Sequence, residues 1–229
     1  MGRATFAGAG SQLLCIVKEV VNRVLGAPDF VATLLGLKLR KHLRVHAVVL
    51  SRPGSGGAHG RPLASEAQVR EALLAVEAIL VREANTVLFS GEWPKIETIE
   101  EPAPDRALHV ECGSGSWTQD LGEAGAYFRR RRVAAPGSST RAVTGYGEPI
   151  AIFVVRDVAG KAGCSLGPLS NYVTVDRVRG PLIAHELGHS CGLWHSRTAG
   201  NLMLPAADSE AMTRLQQAVF RNSRHVTLF

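Results

Sequence analysis

The sequence predicts an α+β fold, a twisted mixed sheet carrying two long helices, and three observations support it. Ile150 to Val155 is an unbroken apolar run, the pattern of a central strand buried on both faces. His42 to Leu50 alternates, with Leu43, Val45, Ala47 and Val49 on one side and His42, Arg44 and His46 on the other, as a first strand should. Two stretches have helical spacing: Val69, Leu73, Val76 and Leu80 in one, and Ile183, Leu187 and Cys191 in the other.

Residues 1 to 10 are rich in Gly and Ala and read as a mobile start. Leu13, Val17, Val20 and Val24 then predict an amphipathic helix, with Lys18, Glu19, Asn22 and Arg23 elsewhere on its wheel. Its apolar face is expected to pack on its own domain. Ala27-Pro28-Asp29 breaks it, and Phe30 to Leu39 forms a second apolar segment. Residues 1–40 thus read as an N-terminal helical extension, a latency, docking or packing element, ahead of a main domain at 41–229. Ser65 and Gln68 form a capping box for a helix to about Glu83, and a strand is expected from Thr86 to Phe89. Trp93 to Asp105, with three prolines and several acids, reads as irregular surface chain; Glu97, Glu100 and Glu101 make a solvated acidic loop, with Ca²⁺ as the unsupported alternative. Ala107 to Glu111 is a short strand, and Gly113-Ser-Gly-Ser turns the chain into a helical stretch from Thr118 that closes on Arg129 to Arg132. Those arginines read as a solvated helix end. Residues 134–149 form a loop, and Asp208 or Ser209 is expected to cap a last helix through Met212, Leu215, Val219 and Phe220.

The chemistry concentrates in Pro181-Leu-Ile-Ala-His-Glu-Leu-Gly-His-Ser-Cys-Gly-Leu-Trp-His195-Ser196 and the following Asn201-Leu-Met-Leu-Pro205. Pro181 suits the first turn of a helix. His185 and His189, one turn apart, share a face on which two imidazoles can converge on one metal ion. Glu186 flanks that face, the position of a general base toward a metal-bound water. Gly192 can take positive φ, end the helix and bring His195 back as third ligand. Three imidazoles on Zn²⁺ leave a fourth position open, as catalytic sites do.

His-Glu-Leu-Gly-His-Ser-Cys-Gly-Leu-Trp-His matches HExxHxxGxxH, and on these residues the chain resembles the metzincin zinc endopeptidases; Ser196 and the Met203-Leu-Pro205 spacing are similar to the matrixin branch. The resemblance implies a zincin-like domain with an active-site helix, an upper part at 41–192 and a small lower part at 193–229. It implies one catalytic Zn²⁺ on His185, His189 and His195, Glu186 as base, Met203 as the apolar floor of a Met-turn, and protein or peptide substrates. It also implies a sheet edge near Ser165 to Leu169 that holds substrate by strand addition. The chain departs from the family in carrying Leu204 and Pro205 where tyrosines occur, and it has neither the matrixin structural zinc and calcium motifs nor a prodomain cysteine.

Composition is that of a globular protein, 45% apolar and 20% charged, with no apolar run of membrane-spanning length. The net charge of +6 favours acidic partners, and the alternative function is a latent or non-catalytic zinc module acting through that basic surface. No aromatic interleaving or nucleic-acid motif accompanies the arginines, so no nucleic acid is expected. Cys15, Cys112, Cys164 and Cys191 fit no CxxC pattern and leave their pairing open, with Cys191 read as packing or half of a disulfide. The family resemblance points to secretion, whereas the N-terminus shows no signal-peptide pattern.

Overall fold

A computed structural model describes residues 2–54, 60–88, 94–112, 122–133, 143–205 and 209–228, with side chains from residue 8 onward. The chain opens with two helices, α1 (Gly2–Leu25) and α2 (Ala27–Leu34), the second carrying Pro28 in its first turn. Strands β1 (Lys41–Leu43), β2 (Val45–Arg52) and β3 (Arg61–Pro62) lead to α3 (Glu66–Ala84). Ser65 and Gln68 close the capping box of α3, and Asn85 ends it in the left-handed conformation, φ 46°. Then come β4 (Thr86–Val87), β5 (Lys95–Pro102), the short α4 (Asp105–Leu108), β6 (His109–Glu111) and α5 (Glu123–Val133). The last third holds β7 (Ile150–Val154), β8 (Asp157–Ala159), β9 (Gly163–Ser165), a 3₁₀ turn (Gly167–Leu169), β10 (Tyr172–Val175), α6 (Gly180–Ser190), α7 (Arg214–Arg221) and β11 (Val226–Thr227).

The fold is mixed α+β. In the main sheet β2, β7 and β10 run parallel, β5 lies parallel on the far side of β2, and β9 closes the near edge antiparallel to β10. Because side chains alternate across a strand, β7 serves two cores: Ile150, Ile152 and Val154 face α3, α6 and α7, while Ala151 and Phe153 face Phe128 and the elements around it. That double burial explains the unbroken apolar run.

Several expectations fail here for physical reasons. Residues 2–10 are helical, continuous with α1. The first strand breaks at Arg44, and His46, expected on a solvated side, is buried because β5 lies alongside it. The Glu97 carboxylate is 3.2 Å from its Nε2, and desolvation holds its pKa low. The acidic stretch at 95–102 is a strand, not irregular chain; Glu97 also meets Lys95, and Glu101 meets Arg131. The arginine run is partly paired, with Arg132 2.7 Å from Glu148. Thr213, with Gln216, caps the last helix in place of Ser209; Asp208 lies outside the described residues, as do Phe89, the Gly113 turn, Thr118 and most of the 134–149 loop.

The largest reversal concerns α1, which turns its polar side inward. Lys18 meets Glu148, Glu19 lies 2.7 Å from Arg23 and 3.3 Å from Arg224, and Arg23 reaches back to the carbonyls of Cys191 and Val219. From α2, Asp29 pairs with Lys41 and Arg221, both at 2.9 Å. These fully buried arginines near the chain's other end fix the orientation of both helices, so the apolar residues of α1 face out. Cys112 and Cys164 form a disulfide, while Cys15 and Cys191 are buried and free. Among the described residues no helix is long and apolar enough to cross a membrane.

Candidate metal centre

Helix α6 packs so tightly on α3 that a Cβ on Gly180 would stand 2.5 Å from that of Ala75. Ile183, Leu187 and Cys191 are buried in the core beneath it, and burial pushes the Cys191 thiol up to about 12, the state of an inert packing group. The helix ends in a Schellman motif: Leu193 N–H donates to the Gly188 carbonyl, Gly192 N–H to that of His189, and Gly192 has φ 89°. The chain reverses there and carries His195 back over the helix.

His185, His189 and His195 converge, with each candidate ligand atom within 4.8 Å of the others. His185 Nδ1 is 2.7 Å from the Leu202 carbonyl and His189 Nδ1 is 2.8 Å from that of Leu193. A carbonyl only accepts, so each Nδ1 carries the proton and each Nε2 presents a bare lone pair. His189 Nε2 lies 3.1 Å from Nε2 of both His185 and His195. Two bare lone pairs at that distance repel unless a cation lies between them. Ring nitrogens sharing one tetrahedral Zn²⁺ at about 2.0–2.1 Å stand roughly 3.3 Å apart, so the donor set fits that ion. Desolvation lowers all three pKa values, that of His189 to about 4, which keeps the rings neutral and ready to coordinate.

Glu186 is 5% exposed and faces β9, where a Cβ on Gly163 would come within 2.6 Å of its Oε1. Burial raises its pKa to about 8, against the opposing pull of Lys161. Met203 is fully buried, its sulfur 2.7 Å from where a Gly188 Cβ would be. Asn201 holds this turn: its Oδ1 accepts from Met203 N–H at 3.0 Å, and its amide exchanges hydrogen bonds with Gln216 on α7. The Leu202 carbonyl that orients His185 is thereby fixed.

A cleft of 1210 Å³ opens over the three histidines and Glu186. Its rim includes Gly163 to Leu169, the edge strand β9 and the 3₁₀ turn, a span that contains Ser165 to Leu169. Lys161, Gly163, Arg23 and Asn201 are additions that sequence reasoning missed as site residues. Gly163 and Asn201 act through tight packing and a distant partner, which leave no local signal. Arg23 arrives from α1, 168 residues away, at the carbonyl of Cys191. The glycine preceding Lys161, Gly160 at φ 70°, marks a turn but not its proximity to the histidines.

No protein-family model and no curated protein matches the sequence. Among solved structures, a zinc-dependent peptidase from Methanocorpusculum labreanum aligns with 77% of this chain and 92% of its own, at 14% sequence identity and a TM-score of 0.40. A TM-score that low does not equate the two folds.

Proposed function

We propose that the protein is a zinc-dependent endopeptidase of the metzincin kind, with matrixin-like features. The observation that carries this reading is the set of three ring nitrogens turned toward one point, two of them with their lone pairs fixed by backbone carbonyls, beside a buried carboxylate in an open cleft. His185, His189 and His195 would hold Zn²⁺, which when bound supplies Lewis acidity toward a peptide carbonyl and toward water. The charge of a bound Zn²⁺ would oppose the burial that raises the Glu186 pKa and favour its carboxylate, which would take a proton from the attacking water and return it to the leaving amine. Among the described residues β9 pairs only with β10, so its other edge would offer backbone groups to an extended peptide, and Met203 keeps the floor of the site apolar. A closed structural zinc takes four protein ligands, whereas the cluster among the described residues has three, which favours catalysis over a zinc module acting by its basic surface. The Cys112–Cys164 bridge suits a chain exported to an oxidising compartment.

Two measurements test this. The protein loaded with one zinc should cleave an unfolded protein substrate, lose that activity on chelation and regain it with one equivalent of zinc; undiminished cleavage without metal would defeat the proposal. Gly163→Ala should press on Glu186 and lower turnover by about 10²-fold while zinc content stays at one per chain. Unaltered turnover would show that Glu186 is not held in place for the reaction.

A further inference from the structure

Helix α1 is an amphipathic helix docked inside out. Leu13, Val17, Val20 and Val24 are between 51% and 69% exposed, and Leu14, Val21 and Leu25 beside them are exposed as well. The surface continues through Val31, Leu35, Leu37 and Leu39. Every charged side chain from Gly8 to Leu39 is buried or half-buried and bonded inward: Lys18 to Glu148, Glu19 and Arg23 to each other, Asp29 to Lys41 and Arg221, and Lys38 to the Glu83 carbonyl. Among the described side chains from Gly8 to Leu39 the apolar surface therefore carries no exposed charge of either sign, and the exposed Arg40 stands at its end.

We propose that this face joins two copies of the chain, with α1 packing along α1 of the second copy. The spacing of Leu13, Val17, Val20 and Val24 is four, three and four residues, the 3.5-residue repeat of a seam between two helices, with Val17, Val20 and Val24 all β-branched. From the fractional exposures, the apolar surface is on the order of 1,000 Å², beyond the few hundred usual for a monomer and near the roughly 800 Å² each partner contributes to a stable interface. A two-fold contact brings identical surfaces together, so any exposed charge on its axis would meet its own kind. This face has none. A helix that lies on an anionic bilayer instead flanks its apolar face with exposed Lys and Arg. Here Lys18, Arg23 and Lys38 are held by inward bonds, so the second copy is the better fit.

Sedimentation equilibrium on the full chain, without detergent, tests the proposal. The wild type should sediment at twice the 24.4 kDa chain mass, and the Val17→Asp/Val24→Asp variant at the single mass, its self-association weakened by roughly 30-fold or more, with thermal unfolding unchanged. A Val20→Cys chain treated with a short bismaleimide at low micromolar concentration should cross-link to twice the mass faster than a chain with cysteine placed at Leu74, exposed on α3. A wild type that stays at single mass at tens of micromolar overturns the proposal, as does a double variant that remains dimeric or cross-linking no faster at Val20 than at Leu74. A single-mass wild type that floats with phosphatidylserine vesicles would assign the face to lipid instead. The readouts are mass and cross-linking, so their failure is distinct from failure of the peptidase reading on which nothing in this test depends.

Discussion

Glu186→Gln is expected to lower turnover by roughly 10²–10⁴-fold, the range of a lost general base, while the protein still binds one zinc. Glutamine keeps the shape that fits against Gly163 but cannot accept a proton, and the histidine set does not include it. Turnover measured beside zinc content separates this effect from metal loss, and a fully active variant would remove Glu186 from the chemistry. The same substitution has an opposite consequence for the metal-free protein. A buried carboxyl with its pKa raised to about 8 favours the folded state fully below the ordinary carboxyl range, and that contribution is lost as pH rises through 8. The metal-free wild type should therefore lose a few kcal/mol between pH 4.5 and 9 from this group alone. Urea unfolding of the metal-free chains at pH 9 should find the Gln variant the more stable, and equal midpoints would contradict the burial argument.

The second large effect is on stability. Arg221 is fully buried and satisfied by Asp29, the Thr33 hydroxyl and the carbonyls of Leu39 and Ala84. Asp29 also faces the buried Lys41, whose pKa burial lowers. Asp29→Ala would leave two buried cations short of a counter-charge, a loss of about 3–5 kcal/mol. Deleting residues 1–40 removes Asp29, Thr33, Leu39 and Glu19 together, which strips Arg221 of most of its partners and leaves Arg224 with Glu148 and Asn171 alone. The expected product is an unfolded or insoluble chain, not an activated one. Denaturant midpoints for Asp29→Ala and solubility of the truncated chain check this. A truncated chain that is stable and more active would support the latency reading of the N-terminal extension.

The candidate centre was legible because its geometry is local. Two histidines four apart on a helix must share a face, and a glycine at the right distance must turn the chain, so His185, His189, Gly192 and His195 are brought together as their spacing implied. The parts that were not legible depend on partners far along the chain. Strand β5 was hidden because acids interrupt its apolar alternation, Glu97 half-buried against His46 and Glu100 and Glu101 exposed, and Ile99 is its one buried residue. For α1 the helical wheel correctly separated apolar from polar faces but could not say which one the body would accept. Glu148 and Arg224 decide that, and they lie more than a hundred residues away. The thiols were similar: Cys112 and Cys164 pair across 52 residues, a choice the spacing left open.

The bond between Glu19 and the residue 224 backbone spans 205 positions, and this separation governs how the molecule is made. At about 5–20 residues per second, a ribosome needs roughly 10–40 s to produce Arg224 after Glu19 has left the peptidyl-transferase centre. Throughout that interval α1 has neither side covered: its acids and bases lack their buried counter-ions, and its valines and leucines face the medium. Helix α1 is thus made long before the residues that hold it in place, and the nascent chain offers a target for holdase chaperones until Arg224 arrives.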